Sequence, residues 1–85
     1  MNEKTRVEQT EFLVTRLLSE CESKDGVAAI AALTLTACLT LIKTLQTYDV
    51  DFQYDEARKN RCENTLTLLI KQHMKEIFKI KQKLK

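Results

Sequence analysis

The middle of the chain contains sixteen consecutive residues without a charge, positions 27–42, with the sequence VAAIAALTLTACLTLI. At about 100° per residue, the large apolar side chains of this segment cover roughly two-thirds of a helix circumference. The remaining arc carries small or weakly polar side chains, among them Ala29, Ala32, Thr36 and Thr40. A helix that is apolar on most of its surface must be covered on most of its surface.

The composition excludes most folds other than a helical one. The 85 residues include no proline and one glycine, Gly26, so the turns of a sandwich, a barrel or a nucleotide-binding α/β fold are hard to build. With 44% hydrophobic and 31% charged residues the chain matches a folded protein. We predict a single all-α domain over residues 1–85, a three-helix antiparallel bundle with a hydrophobic central helix and a long basic C-terminal helix, dimerised in solution.

Three helices are predicted, at about residues 5–23, 26–47 and 55–83. Thr5 and Glu8 fit a capping box at the start of the first helix. Asp25 is positioned to cap the second helix, and either Asp51 or Asp55 is positioned to cap the third. Residues 48–55 are predicted to form a connecting loop whose aromatic side chains pack against the bundle.

Two of the helices carry a narrow apolar stripe. The first helix has one that runs from Val7 to Cys21 at three- and four-residue steps. In the third helix the stripe resembles a short coiled-coil seam. Its members are Leu66, Ile70, His73, Ile77, Ile80 and Leu84.

Catalytic and metal chemistry is disfavoured. The only histidine, His73, lies on the apolar seam and is predicted to be a partly buried packing residue. Cys21, Cys38 and Cys62 lack the spacing of a zinc site and are predicted to be small core residues with free thiols. We therefore expect no catalytic residue, no metal and no cofactor, and a cytoplasmic location, since the first 25 residues are too charged for a signal peptide.

Self-association is the expected way of covering the second helix. Its apolar arc is about twice the width that two neighbouring helices cover, and symmetric dimers are the commonest soluble oligomers. The small-residue face of the second helix and the seam of the third are predicted to form the homodimer. The predicted self-association residues are Ala29, Ala32, Leu33, Thr36, Leu39, Thr40, Ile70, Ile77 and Leu84.

Two further surfaces are candidates for partners. Four apolar side chains on otherwise polar faces, Phe12, Leu68, Met74 and Phe78, are predicted to dock a partner protein. Residues 71–85 carry six lysines against one acid, while residues 1–25 have a net charge of −2. The lysines are candidates for contact with an anionic partner or a nucleic-acid backbone. They are Lys71, Lys75, Lys79, Lys81, Lys83 and Lys85.

Three functions therefore remain open. The favoured one is a protein-interaction module that acts as an adaptor, chaperone or inhibitor by occupying the surface of an unidentified partner protein. The alternative is a small regulator that binds nucleic acid through its lysines with weak selectivity, since these positions include no arginine. A membrane protein is disfavoured, because an uncharged run of sixteen residues is shorter than the ~20 that cross a bilayer.

Overall fold

The computed structural model describes residues 2–83, and over that range the chain forms three α-helices and no strand. They are α1 (Glu3–Cys21), α2 (Gly26–Tyr48) and α3 (Glu56–Lys83). This confirms the all-helical prediction. The chain divides into two compact units, Met1–Thr34 and Leu35–Lys85, whose boundary lies within α2.

Short polar side chains start each helix. Asn2 is the N-cap of α1, with its side-chain oxygen accepting the backbone N–H of Thr5 at 2.8 Å. The predicted capping box of Thr5 and Glu8 is therefore wrong, because α1 begins two residues before Thr5 and an asparagine already satisfies its free N–H. The Asp25 carboxylate accepts a hydrogen bond from the backbone N–H of Ala28 at 2.9 Å, which confirms the predicted cap of α2. The Asp55 carboxylate accepts one from the backbone N–H of Arg58 at 2.9 Å, so Asp55 rather than Asp51 caps α3.

The second unit contains a helical hairpin with a small apolar contact region, here called the hairpin core. Its side chains are half-buried rather than buried, and they come from the end of α2, the loop and the start of α3. The hairpin core consists of Cys38, Leu41, Ile42, Leu45, Phe52, Cys62 and Leu66. The α2 portion of this unit, residues 35–48, is about 21 Å long, whereas α3 is about 42 Å long. The second half of α3 therefore extends beyond the α2 portion of the same unit.

Within residues 2–83 no side chain is buried, and α2 has none among its 23 residues. This exposure agrees with the prediction that the neighbouring helices of the same chain cover only part of the apolar helix. In the second unit, α2 meets α3 along one side only, which leaves Leu35 and Leu39 61% and 54% exposed. The apolar perimeter of α2 is thus larger than its own chain covers.

Two smaller predictions concern the histidine and the three cysteines. His73 is exposed, so its assignment as a partly buried packing residue is wrong; it lies in the part of α3 that extends beyond the hairpin core. All three cysteines are half-buried and carry free thiols. This agrees with the predicted free thiols. The cysteines are less buried than the core residues that the sequence predicted.

One described helix, Gly26–Tyr48, is long and apolar enough to cross a membrane by length and composition, with a mean hydropathy of 1.9 in its most apolar part. Its 23 residues correspond to about 34 Å, against about 30 Å for a bilayer core. The helix is thus longer than the sixteen-residue uncharged run within it, because it continues beyond Lys43 to Tyr48. The core helix of a soluble protein passes the same test.

Candidate interaction surfaces

The guanidinium of Arg58 holds the end of α2 and the start of α3 together. Its Nε and Nη2 donate to Asp49 Oδ2 at 3.2 and 3.1 Å, and its Nη1 donates to Asp55 Oδ2 at 2.7 Å. A planar fork that donates to two carboxylates fixes geometry better than a single lysine could. This cluster closes the α2–α3 turn.

Two aromatic rings pack in the same turn. The rings of Phe52 and Tyr54 meet edge to face, with centroids 5.3 Å apart, and the Arg58 guanidinium carbon lies 5.7 Å from the Phe52 centroid. The Tyr54 hydroxyl accepts a hydrogen bond from Gln46 Nε2 at 3.0 Å. Phe52 is half-buried, as predicted for the aromatic side chains of the loop. Tyr48 does not pack in this way and is 83% exposed.

A groove of about 360 Å³ lies beside this turn, lined mainly by Cys38, Ile42, Phe52, Cys62 and Leu66. This volume is at the small end of ligand pockets. The charged side chains at its edge are largely engaged with each other: Arg58 with Asp49 and Asp55, and Lys59 with Glu56 and Glu63 at 3.3 and 3.9 Å. Among the described residues no three histidine, cysteine, aspartate or glutamate side chains are grouped to hold a metal ion. The groove therefore has an apolar floor, and the charged side chains at its edge are paired with each other.

Hydrogen bonding shifts two pKa values in the turn. The backbone N–H of Arg58 lowers the pKa of the Asp55 carboxyl below its ordinary 3.8, and the Arg58 guanidinium lowers it further. The hydrogen bond to Asp49 raises the pKa of the Arg58 guanidinium above its ordinary value, and the bond to Asp55 raises it further. The ionised forms of both groups are therefore favoured by the fold.

We predict an acid-dependent loss of stability that depends on Asp55. Because its pKa is lower in the folded state, Asp55 stabilises the fold above its unfolded pKa and stops doing so as the pH falls below 3.8 and through the lowered value. Urea titrations at about pH 6 and about pH 2.5 should show a smaller acid loss for Asp55→Asn, which keeps an N-cap acceptor but cannot ionise. An equal acid loss in both proteins would contradict this role.

Within the second unit, the predicted self-association face of α2 lies on the side of the helix away from α3. At about 100° per residue, Thr36, Leu39 and Thr40 project roughly opposite to Leu41 and Leu45 of the hairpin core. In the part of the face that lies in the first unit, Leu33 is 37% exposed and Ala29 is half-buried. Ile70 and Ile77 of the seam are about half exposed, and the predicted contact at Leu84 lies outside the described residues.

The predicted partner and lysine positions share a stretch of α3. Lys71, Met74, Lys75 and Phe78 line one shallow depression, and Phe78 is 63% exposed. No described carboxylate pairs with any lysine between positions 71 and 83, whereas Lys59 pairs with two. Lys85 lies outside the described residues.

The other two predicted docking residues are also exposed. In the second unit, Leu68 lies on α3 and does not line the depression that contains Met74 and Phe78. In the first unit, Phe12 lines a depression of α1 with Thr5, Glu8, Gln9 and Leu13.

Sequence reasoning missed the Arg58 cluster. The only available signal was the three-residue step from Asp55 to Arg58, which places both side chains on one helical face. The bond from Arg58 to Asp49 spans nine positions and depends on the path of the loop.

These observations define an all-helical protein whose described apolar faces are largely open. No family model matches the chain, and no curated protein or solved structure matches it.

Proposed function

We propose that this chain is a non-enzymatic helical interaction module that self-associates through α2. The observation that supports the proposal is the exposed apolar face of α2 opposite the hairpin core. Packing that face against the same face of a second copy gives an isologous contact, the commonest arrangement in homodimers. Ala29, Ala32, Thr36 and Thr40 are small enough to permit close helix approach.

The exposure of single side chains supports the same proposal. Leu35 and Leu39 of α2 are 61% and 54% exposed, and an apolar side chain of this size gains about 1.5–3 kcal/mol when it is fully buried. A second copy that packs against α2 would supply that burial.

Sedimentation equilibrium of the full chain tests the proposal. We expect a mass close to twice 9.9 kDa at micromolar concentration and no change on adding neutral lipid vesicles. A mass of 9.9 kDa without lipid would exclude self-association. If the chain floated with the vesicles instead, α2 would be covered by lipid, as its length and hydropathy also allow.

In this proposal the action of the dimer is to occupy the surface of a partner protein in the cytoplasm, as an adaptor, chaperone or inhibitor. The depression formed by Lys71, Met74, Lys75 and Phe78 is the proposed contact, with Phe12 and Leu68 as separate ones. An exposed aromatic and a methionine between two lysines offer apolar contact area together with charge selectivity.

A nucleic-acid regulator is the second candidate, favoured by the lysines at positions 71–83 of α3, which pair with no described carboxylate. We predict that any binding to duplex DNA or RNA weakens steeply between about 50 and 200 mM salt, because each phosphate contact releases counterions. Lys71→Glu combined with Lys75→Glu should then reduce both the affinity and the salt slope in a fluorescence anisotropy titration. Salt-independent binding, or none at about 50 mM salt, would eliminate this candidate.

A further inference from the structure

We propose that the depression on α3 binds an acidic segment of the partner protein, one in which an apolar side chain lies between carboxylates. The inference rests on the proposed function and names the chemistry of its partner. The surface concerned, here called the Phe78 patch, lies within the second unit and consists of the residues that line the depression together with Lys81. Its members are Lys71, Met74, Lys75, Phe78 and Lys81.

The ring of Phe78 is 63% exposed and is surrounded by cations on the surface of α3. Side chains three and four positions apart are neighbours on a helix. Around Phe78 these positions hold Met74, Lys75, Lys81 and Gln82. Residues 71–83 contain one acid, Glu76, which projects about 160° away from Phe78 at about 100° per residue. The patch therefore combines an open ring with positive charge and has no acid on its own side of the helix.

The lysines of this part of α3 lack counter-charges. Lys71, Lys75 and Lys79 follow one another at four-residue steps, a spacing at which like charges repel. At the start of the same helix, Lys59 instead pairs with an acid on either side of it in the sequence. Among the described residues, no carboxylate forms an ion pair with a lysine of the Phe78 patch. The positive potential of the patch is therefore left for a partner.

The cations around Phe78 restrict what can cover the ring. A partner that buries the ring also takes Lys75 and Lys81 out of water, which costs free energy unless the partner supplies an anion. A neutral apolar surface supplies none, and a basic surface adds repulsion. An apolar side chain flanked by carboxylates covers the ring and pairs with the lysines at the same time, so this chemistry is complementary to the patch.

Two other anionic partners match the patch less completely. A duplex phosphate backbone pairs with lysines but leaves the ring and the Met74 thioether uncovered, and single strands are held by successive aromatic rings, of which α3 has one. A lipid surface takes the broadest apolar side of a helix. In this half of α3 that side is the seam with Ile70 and Ile77, so Phe78 and its lysines would lie at its edge.

Helix α1 does not offer the required chemistry either, although it carries four acids and three bases. Lys4 projects between the directions of Glu8 and Glu11. Arg16 follows Phe12 by one turn on the same side of the helix. The acids and the exposed ring of α1 therefore have bases beside them. For this reason a separate acidic segment complements the Phe78 patch better than α1 of either copy does.

Selection from a random peptide library tests the inference with the full chain. Displayed peptides of about 12 residues can cover the patch, which is about 15 Å long from Lys71 to Lys81. Peptides that bind the Phe78→Ala variant are removed before selection on the wild type, so that the enriched peptides require the ring. We expect these peptides to have a net negative charge and an apolar residue flanked by acids.

Fluorescence anisotropy with an enriched peptide at about 50 mM salt then tests the cations. Lys75→Glu combined with Lys81→Glu should weaken binding by at least about 10-fold, because both lysines flank the ring. Lys79→Glu combined with Lys83→Glu is the matched control, since it makes the same change in charge on the same half of α3 but projects about 100° or more away from Phe78. Its effect should stay within about 3-fold, as expected for more distant, screened charges.

A second control concerns the apolar contact. Ile80→Ala also truncates an exposed apolar side chain of α3, 58% exposed, but one that projects about 160° away from Phe78. Binding of the enriched peptide should change by less than about 2-fold in this variant, since surface positions outside a contact have small effects. An equal loss for Ile80→Ala and Phe78→Ala, or for the two lysine pairs, would show that the patch is not the binding surface.

The remaining outcomes separate this inference from the proposed function. Enriched peptides that are neutral or basic would overturn the acidic chemistry and leave partner docking at Phe78 intact. If no enriched peptide required Phe78, the inference and the proposed contact would both fall. Loss of self-association in Phe78→Ala would make the second copy the occupant. Binding of single-stranded DNA or of phosphatidylserine vesicles that requires Phe78, without enrichment of acidic peptides, would assign the patch to that class of partner and refute the inference.

Discussion

Replacing Leu39 with glutamate is expected to convert the proposed dimer into a monomer. Leu39 lies on the α2 face opposite the hairpin core and is 54% exposed in the single chain, so its contacts in a dimer come from the second copy. Placing a carboxylate there removes apolar burial and requires desolvation of a charge, and a two-fold dimer contains the change twice. The dissociation constant should rise by at least about 100-fold, or roughly 3 kcal/mol. Sedimentation equilibrium over a range of concentrations measures this change.

Leu68→Glu is the matched control for Leu39→Glu. Leu68 is 67% exposed on α3, outside the proposed self-association residues, and the chemical change is identical. Glutamate is a good helix former, so both variants should keep their helical circular dichroism signal. If the two substitutions changed the dissociation constant equally, or if neither did, self-association through this face of α2 would be excluded.

The three helices could be predicted from the sequence because local signals set them. Apolar side chains at three- and four-residue steps indicate helices, and Asp25 marks the start of α2 by a bond that spans only three positions. The missed cap at Asn2 shows the limit of such signals, since Asn2 and Thr5 both qualify as caps and the sequence does not rank them.

Coverage of the apolar surfaces could not be predicted in the same way. The composition of residues 27–42 indicates how much of α2 must be covered, but which side chains cover it depends on contacts far apart in the sequence. The assignment of His73 failed for this reason: its position on the seam is a property of α3, whereas its exposure depends on what lies beside it. The Arg58 cluster likewise depends on the loop that brings Asp49 within 3.1 Å of its guanidinium.

Phe52→Ala should be the most destabilising substitution in the hairpin turn. Truncating a fully buried phenylalanine costs about 3–5 kcal/mol, and Phe52 is half-buried, which suggests about 2 kcal/mol from lost burial. Loss of the edge-to-face contact with Tyr54 adds about 0.5–1.5 kcal/mol. We therefore expect the free energy of unfolding to fall by about 2.5–3.5 kcal/mol in urea titrations at a fixed protein concentration.

Tyr48→Ala is the control for Phe52→Ala, because it also removes an aromatic ring near the turn, but one that is 83% exposed. Its effect should stay within about 0.5 kcal/mol, the usual range for surface positions. A third variant, Phe52→Leu, keeps most of the apolar area and removes the ring contacts with Tyr54 and Arg58, so its effect should lie between the other two. Equal effects of Phe52→Ala and Tyr48→Ala would mean that the hairpin core does not stabilise the second unit. Since α2 and α3 are joined through this turn, that result would also remove the fixed support that the exposed α2 face needs to pair with a second copy.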